Sequence, residues 1–321
     1  MNNNPLMNIN TSFADYLAQR TRSYQEHVVG GTLDYAFDAD FALRQKIGGV
    51  SGWSRLYKTI NTTDIPQRFK KYFQFSDAAG SMTFAKAYEA AKVCSDRLQI
   101  ALPSILIYKS GSVPEVFSLT GDGIEPCVVL TADVAENFTS EELCYLIGCE
   151  LGRLQNRHCT FNYAFTYPGI SKGEAQQSYD PEEKTGTREL NYLLNKWLMA
   201  GDITADRAGI ICLDDPHHFA EVYASVRKKG VPDSYGKQDL TLDLKSVMTE
   251  YETIHLTPVR SLKLGNDITP DKRRIFAGME FTGCEILYIW RTDLERPSTH
   301  VSNKQSLEIR CDIIADTDSV L

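Results

Sequence analysis

The chain has 321 residues, of which 42% are hydrophobic and 24% charged, and its formal net charge at pH 7 is -8. This is the composition of a soluble globular protein with enough chain for a substantial core, either in one large domain or in two small ones. The acidic balance argues against nucleic acid or an anionic membrane as a partner, and no apolar run is long enough to span a bilayer.

The first residues and the cysteines indicate a reducing compartment. The sequence opens with Met1-Asn-Asn-Asn-Pro-Leu-Met7, which lacks the basic start and apolar core of a signal peptide. The eight cysteines are scattered without a CxxC pair, so buried free thiols are expected rather than disulfides. We therefore predict a cytoplasmic protein, with export by a non-classical route as an alternative.

The first 75 residues are predicted to form a helical cap. Apolar residues at helical spacing occur over 13–24 and 41–47, and the second of these helices is expected to end at Gly48-Gly49. The segment around Pro66 is predicted to form a short helix, followed by a buried aromatic cluster at 72–75. No chemistry is indicated in this part of the chain.

A stronger pattern follows the cap. Helical spacing of apolar residues predicts a helix over 82–98. Three strand-like runs come next, at 103–108, 113–119 and 126–131, separated by turns that contain Gly and Ser. A second helix is predicted over 141–158. This order is typical of an α+β fold with a small antiparallel or mixed sheet.

The remainder is predicted to be mainly helical. Residues 171–186 are polar without an apolar period, which is typical of a loop. The apolar run 281–290 fits a helix or a strand, and the alternating residues 306–314 indicate a strand. Helices are predicted over 188–212, 216–229, 237–251 and 257–264.

The helix over 141–158 carries the most informative pattern. Its apolar residues recur at spacings of three and four, and Ser140, followed by two glutamates, is typical of a helix start. The segment Cys149-Glu-Leu-Gly-Arg153 has the outline of a zinc-peptidase helix, in which two histidines four residues apart flank a glutamate. Glu150 is present, while cysteine and arginine stand where the histidines would be.

Two later segments extend this pattern. Asp202-Ile-Thr-Ala-Asp-Arg-Ala-Gly209 and His255-Leu-Thr-Pro-Val-Arg260 follow the first motif in an order and spacing that resemble the HtpX-like zinc metallopeptidases, peptidase family forty-eight. The resemblance covers about residues 80–265. It implies a mainly helical, zincin-like metallopeptidase fold of the α+β class, with a small mixed or antiparallel sheet.

The resemblance also assigns roles by position. It places the three zinc ligands of the family on Cys149, Arg153 and Asp202. The glutamate that activates a metal-bound water falls on Glu150, and a carboxylate that supports the ligands falls on Asp206.

The third segment is assigned in the same way. It implies that His255 and Arg260 lie near the active site, although Leu256 replaces the proline that usually follows the histidine.

The assigned ligands are unequal as zinc donors. Cysteine is a good ligand, and the aspartate at 202 is shorter than glutamate, but arginine stays protonated and has no lone pair to give. We therefore expect no zinc. Our hypothesis is that Arg153 replaces the metal electrostatically by pairing with Asp202, Asp206 or Glu150 in the core. The alternative is that Arg153 points to solvent and the old site has collapsed.

Two further candidates have simpler explanations. Cys149 could be a nucleophile assisted by Glu150 or His255, but a cysteine on a packed helix is more often a small buried hydrophobe. The segment Asp214-Asp-Pro-His-His218 resembles a metal cluster, but its central proline favours a helix start with exposed polar residues.

Loss of the ligands favours a catalytically degenerate metallopeptidase-like protein, a pseudopeptidase, acting through binding or as a structural or regulatory component. The alternative is an active zinc metalloendopeptidase, or another hydrolase, with a rearranged centre around Glu150. Zinc would be its cofactor, whereas the first hypothesis requires none.

A third hypothesis is an effector whose activity resides in the 281–321 tail. We expect a protein partner or a peptide segment as ligand, and no nucleic acid.

These assignments divide the chain into three regions. They are the helical cap at 1–75, a metallopeptidase-like domain at 76–265 and a C-terminal extension at 266–321 that packs on it. We predict that the three regions form one compact unit.

Overall fold

The structure is a computed structural model that describes residues 25, 27–166, 186–238, 240–265, 268–298 and 301–317. The chain divides into two units, residues 1–34 and residues 35–321, which are described separately. The helix predicted over 13–24 and almost all of the predicted loop 171–186 lie outside the described residues.

The described part of the first unit is a β-hairpin. β1 (Val28–Val29) pairs antiparallel with β2 (Thr32–Leu33). Nδ1 of His27 lies 3.0 Å from Oδ2 of Asp34, so a polar contact joins the ends of the hairpin. The Gly-Gly pair between the strands is a turn signal that the sequence analysis overlooked.

The second unit begins with helices. They are α1 (Asp38–Gly48), α2 (Trp53–Thr59) and α3 (Ile65–Gln74), with a π-helical turn at Ile60–Asp64 between the last two. α1 ends where the glycine pair predicts. In α3, Pro66 stands in the first turn, where its missing N–H removes no helical hydrogen bond.

The predicted buried aromatic cluster after Pro66 is wrong. Phe73 is 60% exposed and Phe75 is 53% exposed. Tyr72 packs edge-on against Tyr108 on one side of α3, and Phe73 follows it about 100° further round the helix, which turns its ring outward.

A four-stranded mixed sheet forms the centre of the second unit. Its strands are β3 (Ser76–Ala78), β4 (Ser104–Tyr108), β5 (Val116–Gly121) and β6 (Ile124–Thr131), in the spatial order β3-β4-β6-β5. β4 and β6 are parallel, and the two outer strands pair antiparallel with them. Residues 127–131 of β6 are all buried. Because successive side chains point to opposite faces, both faces of the sheet are covered there.

The remaining elements are helical. They are α4 (Ala85–Arg97), α5 (Ala132–Asn137), α6 (Ser140–Gln155), α7 (Cys159–Phe165), α8 (Gly186–Cys212), α9 (Phe219–Lys228), α10 (Leu244–Leu256), α11 (Pro270–Thr282), α12 (Glu285–Trp290) and α13 (Lys304–Ala315), with short 3-10 turns at Pro216–His218 and Val259–Ser261. The α+β class and the mixed sheet are therefore confirmed, whereas the zincin-like assignment and the three-region division stay predictions.

α6 is buried over residues 142–154, and two reciprocal hydrogen bonds fix its start. The side chain of Thr139, not Ser140, caps it by accepting from the N–H of Glu142, whose carboxylate accepts in turn from the N–H of Thr139. This capping box satisfies two backbone donors that have no partner inside the helix. Only the position of the cap differs, by one residue, from the prediction.

α6 and α8 pack very closely because glycines face the contact. A Cβ added to Gly152 would lie 2.4 Å from Cβ of Ala208, and one added to Gly148 would lie 2.8 Å from Cβ of Cys212. Real Cβ atoms do not approach so closely, so larger residues at either position would separate the helices. This approach brings the motif on α6 against the acidic motif on α8.

Three predictions for the C-terminal part are corrected. The strand predicted over 306–314 is helix α13, in which Leu307, Glu308 and Cys311 are buried. Its burial follows helical spacing, but one inward-facing position holds a glutamate, which hid the pattern. Glu308 is paired there with Arg207 at 2.6 Å. The ambiguous run 281–290 is helical, comprising the end of α11 and α12.

The other two corrections concern helix boundaries. The helix predicted over 257–264 is reduced to the 3-10 turn at Val259–Ser261, because Thr257, the residue before Pro258, has an extended backbone. The helix predicted over 237–251 begins only at Leu244.

The cysteine prediction is confirmed, since all eight thiols are free and buried. Among the described helices, none is both long enough and apolar enough to cross a bilayer.

Candidate functional site

Arg153 forms the centre of a buried ion-pair cluster between α6 and α8. Its Nη2 donates to Oδ1 of Asp202 at 2.6 Å, and its Nε donates to Oε1 of Glu150 at 3.2 Å. The side chains of Arg153 and Asp202 are 8% and 1% exposed. The predicted pairing of Arg153 is thus confirmed for Asp202 and Glu150, and the alternative of a solvent-facing Arg153 is wrong.

Asp206, the third predicted partner, is paired with another arginine. Nε and Nη2 of Arg274, on α11, donate to its two carboxylate oxygens at 2.8 and 2.6 Å. The same guanidinium lies 3.8 Å from Asp202. Asp206 and Asp202 are one helical turn apart on α8, so two arginines from different helices bind two neighbouring carboxylates. The sequence analysis did not identify Arg274.

Glu150 is fixed by β5 as well as by Arg153. Its Oε2 accepts from both the backbone N–H and the hydroxyl of Ser118, each at 2.8 Å. Because Oε1 accepts from Arg153, each oxygen of the buried carboxylate has at least one donor. The carboxylate therefore ties α6 to the edge strand of the sheet.

Cys149 contacts the same cluster weakly. Its Sγ lies 4.0 Å from Oδ1 of Asp206, which also accepts a 2.7 Å hydrogen bond from the hydroxyl of Tyr145. Tyr145 and Cys149 are four residues apart and share a face of α6. Burial raises the pKa of the Cys149 thiol well above its ordinary value, so the thiol stays protonated and is a poor nucleophile.

Burial and the arginines shift the pKa values of the three carboxyl groups in opposite directions. At Asp202, burial raises the pKa, but Arg274 and Arg153 outweigh it and hold the pKa below its ordinary value. At Glu150 and Asp206, burial is the stronger influence and raises both pKa values. Asp202, which faces both guanidiniums, is therefore the most firmly ionised of the three.

A second buried pair supports the cluster from α9. Nε and Nη2 of Arg227 donate to the two oxygens of Asp271 at 2.8 and 3.1 Å, and the hydroxyl of Tyr223 donates to Asp271 at 2.5 Å. The ring of Tyr223 lies 5.0 Å from the guanidinium carbon of Arg274. The orientation of Arg274 is thus set by an aromatic face as well as by Asp206.

A cavity of about 280 Å³ opens over these side chains. Its wall includes Glu115, the adjoining residues 116–119 of β5, the 145–153 part of α6 and the loop 231–234. Ser234, in that loop, donates to Oδ1 of Asp202 at 2.6 Å. The arginines of the ion pairs and Glu150 therefore line the same cleft as the edge strand β5.

Five of the predicted site residues meet in the ion-pair cluster, where Cys149, Glu150 and Arg153 also line the cleft, and two lie elsewhere. The five are Cys149, Glu150, Arg153, Asp202 and Asp206. His255 is largely exposed on α10, with its Nδ1 2.9 Å from Oε1 of Glu280. Arg260 is exposed on the 3-10 turn that follows. Neither lines the cleft, and their roles near an active site stay predictions.

The histidines at 217 and 218 behave as the simpler explanation expects. Pro216–His218 is a 3-10 turn capped by Asp215, whose side chain accepts from the N–H of His217. The side chain of His218 is 62% exposed.

The side chains at the cluster do not fit a bound zinc ion. Structural and catalytic zinc sites use three or four thiolate, imidazole or carboxylate ligands. Here Arg153, which cannot ligate, fills the space between Glu150 and Asp202, and the thiol of Cys149 keeps its proton. Across the described ranges, no group of three or more His, Cys, Asp and Glu side chains is arranged to hold a metal ion.

Comparisons with known proteins give a partial relationship. No protein-family model matches the chain, and no solved structure matches it. The chain is 29% identical over 178 residues to the chloroplastic plastoglobule-localized metallopeptidase 48 of Arabidopsis thaliana. The match covers 53% of this chain and 44% of that relative, so the chain matches less than half of the relative's length. A relationship to metallopeptidases is supported by this match.

Proposed function

We propose that this chain is a catalytically degenerate metallopeptidase-like protein, a pseudopeptidase, that binds a peptide segment of a partner protein in the cleft beside β5. The observation that carries the proposal is the position of Arg153. Its guanidinium lies between Glu150 and Asp202, the residues that the family resemblance assigns to the catalytic base and to one zinc ligand.

The charges of the cluster support this proposal. In the zinc enzymes of the resembled family, the carboxylates of the site face a dication. Here Glu150, Asp202 and Asp206 face two guanidiniums, those of Arg153 and Arg274, which together carry the same formal charge of +2. A buried carboxylate without a cation is costly. The two arginines therefore keep the acidic residues compatible with a buried core in the absence of zinc.

The environment of Glu150 also favours a structural role. A general base must reach a water whose pKa has been lowered, as zinc does in metallopeptidases. The Glu150 carboxylate instead accepts from Arg153 and twice from Ser118. It holds α6 to β5, and in this arrangement it stabilises the cleft rather than activating a nucleophile.

The cleft keeps features that suit peptide binding. β5 is at the edge of the sheet, where an extended peptide can pair with backbone groups other than the Ser118 N–H that already donates to Glu150. The hydrophobic side chains of Val116, Phe117 and Leu119 contribute to the cavity wall. Burial of an apolar side chain of the peptide there would supply the main favourable free energy.

Metal analysis and a peptidase assay test the proposal together. We expect purified protein to contain far less than one zinc per chain and to cleave no peptide, with or without a chelator. Stoichiometric zinc, together with chelator-sensitive cleavage that is abolished in Glu150→Gln, would establish an active peptidase and contradict the proposal.

Restoring the family's ligands provides a positive control. The triple variant Cys149→His, Arg153→His, Asp202→Glu should gain zinc binding if these positions are the former ligands. Circular dichroism confirms that the variant is folded before zinc is measured. A folded triple variant that takes up no more zinc than the wild type would contradict the assignment of the three positions.

A further inference from the structure

Arg68, on α3, lies in the wall of the same cleft and is surrounded by aromatic rings. Its guanidinium carbon lies 4.6 Å from the ring centre of Phe117, 5.6 Å from that of Tyr72 and 5.8 Å from that of Tyr163. Arg68, Phe117 and Tyr163 all line the cavity. The rings hold the cation by its faces, which leaves the N–H groups at its edge available for hydrogen bonds.

The other arginines that line the cleft are paired, and Arg68 is the exception. Arg153, Arg227 and Arg274 each have a buried aspartate within 2.8 Å. In the described part of the chain, no Asp or Glu side chain forms an ion pair with Arg68. Among the described residues, the cleft therefore has one cation that aromatic rings hold in place and that has no carboxylate partner.

A second donor in the cleft also has no partner among the residues that the structure describes. Nη1 of Arg153 is buried and makes no hydrogen bond to any described residue. The residue as a whole is 6% exposed and lines the cavity. A buried N–H group without an acceptor is unfavourable, and a ligand oxygen at this depth would satisfy it.

We propose that the bound peptide segment carries an acidic residue, whose carboxylate pairs with Arg68 while a neighbouring apolar side chain enters the cavity. This inference rests on the proposed function, because it names the chemistry of the peptide that the cleft selects. A guanidinium matches a carboxylate with two parallel N–H···O bonds, and the aromatic rings hold Arg68 in position before the ligand arrives. The Nη1 donor of Arg153 is left for a carbonyl oxygen of the same segment.

Glu115 provides an internal comparison. It lines the same cleft from the start of β5, is exposed and has the opposite charge. If simple electrostatic attraction governed binding, neutralising Glu115 would matter as much as neutralising Arg68. The proposal assigns acidic selectivity to Arg68 and not to Glu115, because Arg68 is the one of the two that aromatic rings hold in place.

Peptide selection tests the inference with the full chain. A random-peptide phage library is selected in parallel on wild type, Arg68→Gln and Glu115→Gln, with Arg55→Gln as a control at an exposed arginine of α2. Wild type and Arg55→Gln should enrich peptides that contain Asp or Glu next to an apolar residue. Glu115→Gln should keep or strengthen this preference, because it removes a negative charge from the wall of the cleft. Arg68→Gln should lose the acidic preference, and Arg68→Glu should select basic peptides instead.

Affinities of one selected peptide measure the size of the effect. Changing its acidic residue to the amide should weaken binding to wild type roughly ten- to a hundredfold, the range expected for a lost charge-assisted hydrogen bond. The same peptide change should leave binding to Arg68→Gln unaltered. Hydrogen exchange on the complex should show protection of the β5 amides.

The outcomes separate this inference from the function on which it rests. Protection of β5 by peptides that show no acidic preference, or whose preference survives in Arg68→Gln, overturns the role of Arg68 and keeps the binding cleft. Failure to enrich any peptide that protects β5 overturns both.

Discussion

Arg153 and Asp202 are 49 residues apart in the chain, yet Nη2 of the first lies 2.6 Å from Oδ1 of the second in a buried contact between two helices. The family resemblance assigns a histidine zinc ligand to the first position and a glutamate ligand to the second. Here the two residues form an ion pair. The pair joins α6 and α8 through charge, and in the proposed function it takes the place of a metal.

Removal of the Arg153 side chain should therefore lower the unfolding free energy substantially. In Arg153→Ala, two buried carboxylates lose a cation, and breaking a buried pair in this way typically costs about 3–5 kcal/mol of unfolding free energy. Urea unfolding of the variant measures the change. Arg55→Ala, at an exposed arginine, should stay within about 0.5 kcal/mol of wild type. Equal, small effects of the two substitutions would contradict a structural role for the Arg153 pair.

Arg274 and Asp206 should act as a unit. Arg274→Ala and Asp206→Asn each leave a buried group without its partner, so each should be destabilising, whereas the double variant should cost less than the sum of the two. The expected difference is about 0.5–3 kcal/mol, as found for directly interacting residues. A double-mutant cycle from urea unfolding gives this value, and strict additivity would show that the two residues are not coupled.

The contribution of Asp202 to the unfolding free energy should depend on pH. Its folded-state pKa is lowered below the ordinary value of 3.8, chiefly because Arg274 and Arg153 outweigh the effect of burial. A lowered pKa means that the unfolded state binds the proton more tightly, so the contribution is fully present well above pH 3.8 and is lost as the pH falls through the folded-state pKa.

Asp202→Asn measures this dependence. The unfolding free energy lost in the variant should be largest at pH 7 and should shrink as the pH falls below 3.8, because Asp202 of the unfolded chain then takes up a proton before Asp202 of the folded protein does. Urea unfolding of both proteins at pH 7, 4 and 3 provides the comparison. A difference between the two proteins that does not change over this range would contradict an ionised, stabilising Asp202.

The close contact of α6 with α8 should not tolerate a methyl group. In Gly152→Ala the new Cβ would lie 2.4 Å from Cβ of Ala208, and such overpacking typically costs about 1–3 kcal/mol. The compensating change Ala208→Gly should restore part of the loss. Gly48→Ala is the matched control, because no atom lies within 4 Å of a Cβ built at this end of α1. Thermal unfolding of the four proteins ranks them, and equal melting temperatures for Gly152→Ala and Gly48→Ala would contradict the packing.

Which cation pairs with Asp206 could not be predicted from the sequence, and α11 shows why. Lys272, Arg273 and Arg274 are consecutive, and nothing in their order distinguishes them. In the structure Lys272 pairs with Glu250, Arg273 donates to the carbonyl of Ile314, and only Arg274 turns toward the cluster. The rotation of α11 about its axis sets these directions, and it is determined by packing against several other helices.

The sequence alone determined the local features of the site. Helical periodicity and an acidic helix start define α6, and the identity of residue 153 excludes it as a metal ligand, because a guanidinium has no lone pair to donate. Tertiary structure decided the partners. Asp202 and Asp206 are equivalent by spacing, but the helix crossing at Gly148 and Gly152 gives Arg153 only the first of them. The contact of Ser118 with Glu150 and the aromatic enclosure of Arg68 likewise depend on contacts between segments that are far apart in the sequence. No local sequence pattern encodes such contacts.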